Sequence, residues 1–372
     1  MRAPRSATGA PHAAPTAEPG TLASLQAGRA LAALSVAAFH LSIMMGEERY
    51  GGVPVFADAT RYGYLGVDYF FVLSGFIIAH VHGRDLGRPE RLRPYLAKRF
   101  LRVWPIYWLY TAVFAGLVLL HLGSATTLPT TAAGWVSSVS LLRLSAEQPP
   151  LAVAWTLFHE AAFYAVFAVA IWRRRVGIAV FAAWMMVCAA GLHYPAVEDR
   201  TPLAVYGAGY NLDFLLGILA SLGSRRCTGR AGAVALALGL AAAAAILAGL
   251  YGGAGIPAAP LLLGGAFALV IAGAVGLERA GWLPVPVLLR RLGDASYTIY
   301  LVHIAAIGVA LKLAMRFGLP DRIGGEATFL ASFVAALALC AAAWRFVERP
   351  LLAALRGRPG PDLPARGVPR HP

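Results

Sequence analysis

Arg29 and His40 lie eleven residues apart in one apolar run, Gly28-Arg29-Ala30-Leu31-Ala32-Ala33-Leu34-Ser35-Val36-Ala37-Ala38-Phe39-His40. In an α-helix eleven steps return to within roughly 20° of the start and advance about 16 Å, so both side chains share one face at two depths. A histidine there can take a proton from a weak nucleophile such as an alcohol, and an arginine can hold an anion. Asp68, in Gly66-Val67-Asp68-Tyr69-Phe70-Phe71-Val72-Leu73-Ser74-Gly75-Phe76, and Glu160, in Trp155-Thr156-Leu157-Phe158-His159-Glu160, are two carboxylates able to hold the second ring nitrogen of His40 and stabilise its imidazolium. Arg99 and Arg102, in Lys98-Arg99-Phe100-Leu101-Arg102, stand one above the other on a helix, suited to gripping a diphosphate. Plainer readings stay open for each. Arg29 can snorkel to the membrane boundary, His40 can be satisfied by a neighbouring helix, and Asp68 can complement a helix dipole. Glu160 can be tied to an arginine or a tyrosine, and Arg99 and Arg102 can be a basic stop signal beside an aromatic belt.

The elements that must position these residues are membrane helices. With 59% hydrophobic residues, 13% charged residues and a mean hydropathy of +0.65, the composition is that of an all-α polytopic membrane protein. The net charge of +14 does not indicate a nucleic-acid partner, because the basic residues alternate with long apolar runs and form no stripe interleaved with exposed aromatics. Cys188, Cys227 and Cys340 have no paired spacing, so neither a metal site nor a disulfide framework is expected.

About ten transmembrane segments are expected: Leu22–Met45, Tyr64–His82, Trp104–Leu122, Leu151–Trp172, Val176–Leu192, Tyr206–Gly223, Ala231–Leu250, Ala258–Leu277, Asp294–Leu311 and Ala327–Phe346. Under that count one side of the membrane holds 25 of the 32 Lys and Arg residues. The positive-inside rule then puts both termini in the cytoplasm, and the loop 123–150 with its Arg143 on the other side. Residues 1–21 and 351–372 read as disordered cytoplasmic tails around a membrane domain at 22–350, with no cleavable signal pattern at the start. His303, in the ninth segment, reads as a structural helix–helix hydrogen bond. The run Glu348-Arg349-Pro350 is expected to end the last helix and return the chain to water.

In this order the pieces resemble the acyltransferase-3 family of integral membrane O-acyltransferases, over nearly all of residues 22–350. The matching residues are Arg29 to His40, Gly66 to Phe76, Arg99-Phe100-Leu101-Arg102 with Pro105 and Tyr107, and Trp155-Thr156-Leu157 with Glu160 and Tyr164. Ser296-Tyr297 with Tyr300 and His303, and Glu348-Arg349-Pro350, complete the set. The resemblance implies ten core helices, a coenzyme A thioester donor taken from the cytoplasm, and a hydroxyl acceptor on a carbohydrate, surface polysaccharide or glycolipid. It also implies an inner (plasma) membrane location. Some members carry an added esterase-like domain; none is expected in this chain. On this reading His40 is the catalytic base, with Asp68 or Glu160 behind it. Arg29, Arg99 and Arg102 bind the acyl-CoA donor, expected to be acetyl-CoA, without a metal. A transient acyl-His40 is the alternative route. Acylation of a diffusible metabolite such as a macrolide sugar is an alternative outcome. A membrane transporter is the alternative class, but the two halves of the chain lack the internal repeat that class usually carries.

Overall fold

The computed structural model describes residues 22–120, 127–194, 201–256 and 258–356. The expected tail at 1–21, and 357–372 of the other, lie outside the described residues. Within them the chain is helical without strands, and nine helical segments are long and apolar enough to cross a membrane. The long helices are α1 (Ala23–Met45), α2 (Gly66–His82), α3 (Leu92–Leu119), α4 (Trp155–Trp172), α5 (Arg174–Ala190), α6 (Leu212–Gly223), α7 (Arg230–Tyr251), α8 (Ala259–Arg279), α9 (Ser296–Arg316) and α10 (Gly325–Ala343). The expected span that is not among the nine, Val176–Leu192, corresponds to α5, whose 17 residues reach about 25 Å. It turns back against α4 through Gly177, where a Cβ would lie 2.1 Å from the Ala170 Cα.

Burial of apolar surface cannot drive helices together inside lipid, so small residues and hydrogen bonds do. Gly75 on α2 and Gly217 on α6 bring those backbones into contact: a Cβ on Gly75 would lie 2.1 Å from the Phe214 carbonyl oxygen, and one on Gly217 1.9 Å from that of Val72. Below them Phe163 of α4 stacks on Phe214 with centroids 4.4 Å apart. The start of α1 is capped from α8, where the Glu278 carboxylate accepts from Ala23 N at 2.7 Å and Ser24 N at 2.9 Å. Those donors have no partner within their own helix, and a carboxylate there also complements the helix dipole.

Two expectations are corrected. The third span, expected to begin at Trp104, begins a dozen residues earlier, so the basic stretch at Lys98 is part of α3. Pro94 sits in the first turn, where its missing N–H costs nothing, and Pro105 is accommodated inside the helix. Residues 349–356 continue as a helix, Arg349–Arg356, joined to α10 by a π-helical turn at Trp344–Glu348 that turns Glu348 inward against Thr298. Glu348 is therefore buried rather than at the start of a tail.

Residues 127–150 pack on the bundle. Their helix Ala132–Ser140 lies against the middle of α3, where Tyr107 OH donates to Ser138 O at 2.6 Å and Trp108 Nε1 to Val139 O at 2.9 Å. This segment re-enters the bundle, with Trp135, Val136 and Val139 facing outward. Its backbone breaks at Leu141, and side chains replace the lost helical bonds. Ser137 Oγ donates to Leu142 O at 2.9 Å and accepts from Leu144 N at 3.2 Å. Irregular backbone survives at membrane depth where it is satisfied and packed in protein. Arg143 is buried with it, its guanidinium 4.7 Å from the centroid of the Phe158 ring.

Candidate active site

A cavity of about 160 Å³ opens among α1, α2, α3, α4 and α9. Arg29, Arg99, Arg102 and Glu160 all line it, together with Ser74, Thr156, Tyr164, Ser296, Tyr297 and Tyr300. Four of the six residues singled out in the sequence thus converge from three helices. Arg29 Nε donates to Ser296 Oγ at 3.0 Å. The Arg99 guanidinium stands 5.8 Å from the centroid of the Tyr164 ring, and that of Arg102 5.8 Å from the Tyr297 ring, whose hydroxyl donates to Val103 O at 2.9 Å. Among the described residues none of the three guanidiniums forms an ion pair with a carboxylate. Three cations sharing a partly apolar cavity repel one another, and an anion entering it relieves that repulsion.

Glu160 is the cavity's own carboxylate. Its Oε1 accepts from Ser74 Oγ at 2.9 Å and from the Tyr164 hydroxyl one turn along α4. This is the tie to a tyrosine that was one reading of Glu160, and it holds the carboxylate facing the cavity. Neighbouring His159 points elsewhere, its Nδ1 2.9 Å from Asn211 Oδ1.

His40 lies beyond the cavity, two turns of α9 above Ser296, against His303. A ladder of rings joins the two regions: Phe70 to Tyr300 at 5.9 Å, Tyr300 to His303 at 6.0 Å, and His303 to His40 at 4.9 Å between centroids. The hydrogen bonds fix which nitrogens carry hydrogen. His303 Nδ1 lies 2.8 Å from Tyr300 O and 3.2 Å from Ile299 O, both of which only accept, so Nδ1 is protonated and Nε2 of the neutral ring is an acceptor. His40 Nδ1 lies 3.2 Å from that Nε2 and 2.9 Å from Val36 O, so it must be the donor. The lone pair of His40 is left on Nε2. That tautomer is the one able to accept a proton.

The expected carboxylate behind His40 is therefore corrected. Among the described residues neither Asp68 nor Glu160 is hydrogen-bonded to it; the ring it meets is His303. Asp68 sits on the opposite face of α2 from the cavity and faces Asp213 of α6, both carboxyls buried. The face of α2 that carries Asp68 also carries Val72 and Gly75, and the Gly75–Phe214 contact turns it toward α6.

The acyltransferase domain family matches residues 22–345, most of the chain and the whole of this site. The chain belongs to the acyltransferase-3 family. It is an acyltransferase that transfers groups other than aminoacyl groups, carried on a multi-pass membrane bundle. The exopolysaccharide production protein ExoZ of Rhizobium meliloti (strain 1021) is 35% identical to this acyltransferase over 306 residues, 80% of this chain and 92% of the relative. The acyltransferase MdmB of Streptomyces mycarofaciens is 29% identical over 334 residues, 78% of this chain and 80% of the relative. No solved structure matches the acyltransferase.

The helix–helix hydrogen bond expected of His303 in this acyltransferase is present, and its partner, which the sequence reading did not name, is His40. The pairing had a signal: His303 lies seven residues, two turns, beyond Ser296 on α9, so a helix face that meets Arg29 at Ser296 meets His40 at His303. Tyr164, Tyr297 and Tyr300 stood in the family pattern, but their type did not mark them as cavity residues, since aromatic residues in a membrane helix are ordinarily packing residues or belt anchors.

Proposed function

We propose that this acyltransferase moves an acyl group, expected to be acetyl, from acyl-CoA to a hydroxyl of a carbohydrate, surface polysaccharide or glycolipid. The observation that carries this reading is the cavity with three guanidiniums that form no ion pair among the described residues, joined by rings to a histidine in base-ready form. Arg29, Arg99 and Arg102 would take the phosphates of coenzyme A, the two-arginine step on α3 matching a diphosphate. His40 Nε2 would accept the proton of the acceptor hydroxyl as its oxygen attacks the thioester carbonyl carbon. Collapse of the tetrahedral intermediate breaks the carbon–sulfur bond, and the imidazolium returns the proton to the departing thiolate. His303 Nε2 accepts from His40 Nδ1 throughout, which stabilises the charged ring in the place expected of a carboxylate.

The similarity to a protein of exopolysaccharide production supports a surface-glycan acceptor. The likeness to MdmB keeps a diffusible acceptor such as a macrolide sugar as the second reading. Mass spectrometry of surface glycans, glycolipids and secreted metabolites from cells with and without the gene separates them. An acyl group missing from the glycan fraction supports the first, and one missing from the metabolite fraction alone supports the second.

Replacing both Arg99 and Arg102 by alanine should weaken acetyl-CoA binding more than it slows turnover at saturation, because phosphate contacts are made equally in ground and transition states. Unchanged donor affinity would assign both residues to the membrane surface. The arginine distribution supports an inner (plasma) membrane protein with both termini cytoplasmic. A cysteine at Asp58 should then react with an impermeant reagent applied outside intact cells while one at Arg88 does not. The reverse pattern inverts the topology.

A further inference from the structure

We propose that His82 and Asp85 form a positioning relay that holds Arg99 in the donor cavity, and that the relay lets go when His82 takes up a proton. The proposal rests on the reading of Arg99 as a donor-binding residue. Asp85, just beyond the end of α2, places Oδ2 at 2.8 Å from His82 Nδ1. A carboxylate only accepts, so Nδ1 carries the hydrogen and Nε2 keeps its lone pair. That lone pair is met by Arg99 NH2, donating across 3.4 Å. Behind the relay Arg91 Nε reaches Asp85 Oδ1 at 4.0 Å, and the Tyr95 ring stands edge-on to the imidazole at 5.0 Å.

The anchor matters because an arginine side chain is long and loses rotamer freedom when it must meet a ligand. One guanidinium nitrogen fixed by His82, with the plane beside Tyr164, leaves the rest of the fork to the cavity that Arg99 lines, and its buried Nε has no hydrogen-bond partner among the described residues. The relay also has a polarity. A protonated His82 donates from both nitrogens and can no longer accept from Arg99, so its charge repels the guanidinium instead of holding it. The charged groups facing His82 are Asp85, Arg99 and Lys98, with Arg91 beyond Asp85 and the Tyr95 hydroxyl the nearest phenol. Donor binding should therefore weaken as the medium on that side of the membrane becomes acidic.

The test uses the full-length protein in detergent or nanodiscs, with acetyl-CoA binding and cleavage of its thioester as readouts. His82→Leu should raise the acetyl-CoA KM about tenfold, the effect of losing one hydrogen bond to a charged group, with kcat within about twofold. His82→Gln supplies an oxygen to Arg99 and an amide hydrogen to Asp85, so it should retain the wild-type KM and lose the rise in KM at acidic pH. Asp85→Ala lies outside the span and should raise KM in the same direction, which keeps the question answerable if His82→Leu does not fold. An unchanged KM in His82→Leu or in Asp85→Ala, or an equal loss in His82→Leu and His82→Gln, overturns the relay. Arg99→Ala is the reference. If it raises KM while the His82 and Asp85 variants do not, the relay alone is wrong; if it leaves KM unchanged, the donor reading of Arg99 falls and the relay with it.

Discussion

His40→Ala should leave a folded protein that still binds acetyl-CoA, while acyl transfer falls by about 10² to 10⁴, the usual contribution of a positioned general base. Donor binding is spared because the guanidiniums lining the cavity are carried by other positions, and His40 does not line it. The fall in transfer has to be measured beside thermal stability on the same sample, since removing a buried polar partner can also loosen the bundle. His303 supplies the second half of the experiment. His303→Ala removes the acceptor that faces His40 Nδ1 but leaves the Val36 carbonyl, so transfer should drop about tenfold, and His303→Gln, which restores an acceptor oxygen, should recover part of that. Full transfer by His40→Ala would remove it from the chemistry. Abolished transfer in His303→Ala with a merely weakened His40→Ala would exchange their roles.

The other large effect is structural. Gly75→Val or Gly217→Val should prevent α2 and α6 from closing, because each added Cβ would lie about 2 Å from a backbone carbonyl oxygen, 2.1 Å at Phe214 and 1.9 Å at Val72. No side chain can rotate aside to relieve a backbone contact, so the helices must separate. The destabilisation should exceed the ~1–3 kcal/mol usual for overpacking in an adaptable core. It should appear as loss of monodisperse protein or a large fall in Tm. Gly265→Ala is the control, since nothing lies within 4 Å of its added Cβ, and should stay within ~0.5 kcal/mol of the parent. A well-folded Gly217→Val protein with full donor binding would mean that the α2–α6 contact does not hold the cavity together. The link to function runs through Ser74, next to Gly75, whose hydroxyl holds Glu160 at 2.9 Å.

Much of this protein was legible because helical periodicity is local. Ten apolar runs give the helices, and eleven residues at 1.5 Å put Arg29 and His40 on one face of α1. In the structure both do face α9, at Ser296 and His303. The three-residue step from Arg99 to Arg102 likewise puts two guanidiniums in one cavity. Periodicity also predicts that Gly75 and Ser74 share a close helix contact without saying with which helix. The structure assigns Gly75 to Phe214 and Ser74 to Glu160, on two different helices.

What the sequence by itself determined was the fold class, the family pattern and the residues able to do chemistry. Their partners were decided by tertiary structure. His40 and His303 are 263 residues apart, and only the packing of α1 against α9 makes one the acceptor for the other. Asp68 looked like the carboxylate for His40 because the C-terminal end of α1 and the N-terminal end of α2 lie on the same side of the bundle. Depth along the membrane is readable from spacing, but the rotation of a helix about its axis is set by its neighbours, here the glycine contact that turns Asp68 toward Asp213. Arg143 is buried for a related reason: the helix Ala132–Ser140 just before it is held on α3 by hydrogen bonds from Tyr107 and Trp108, and a one-dimensional reading does not say where a connecting segment packs.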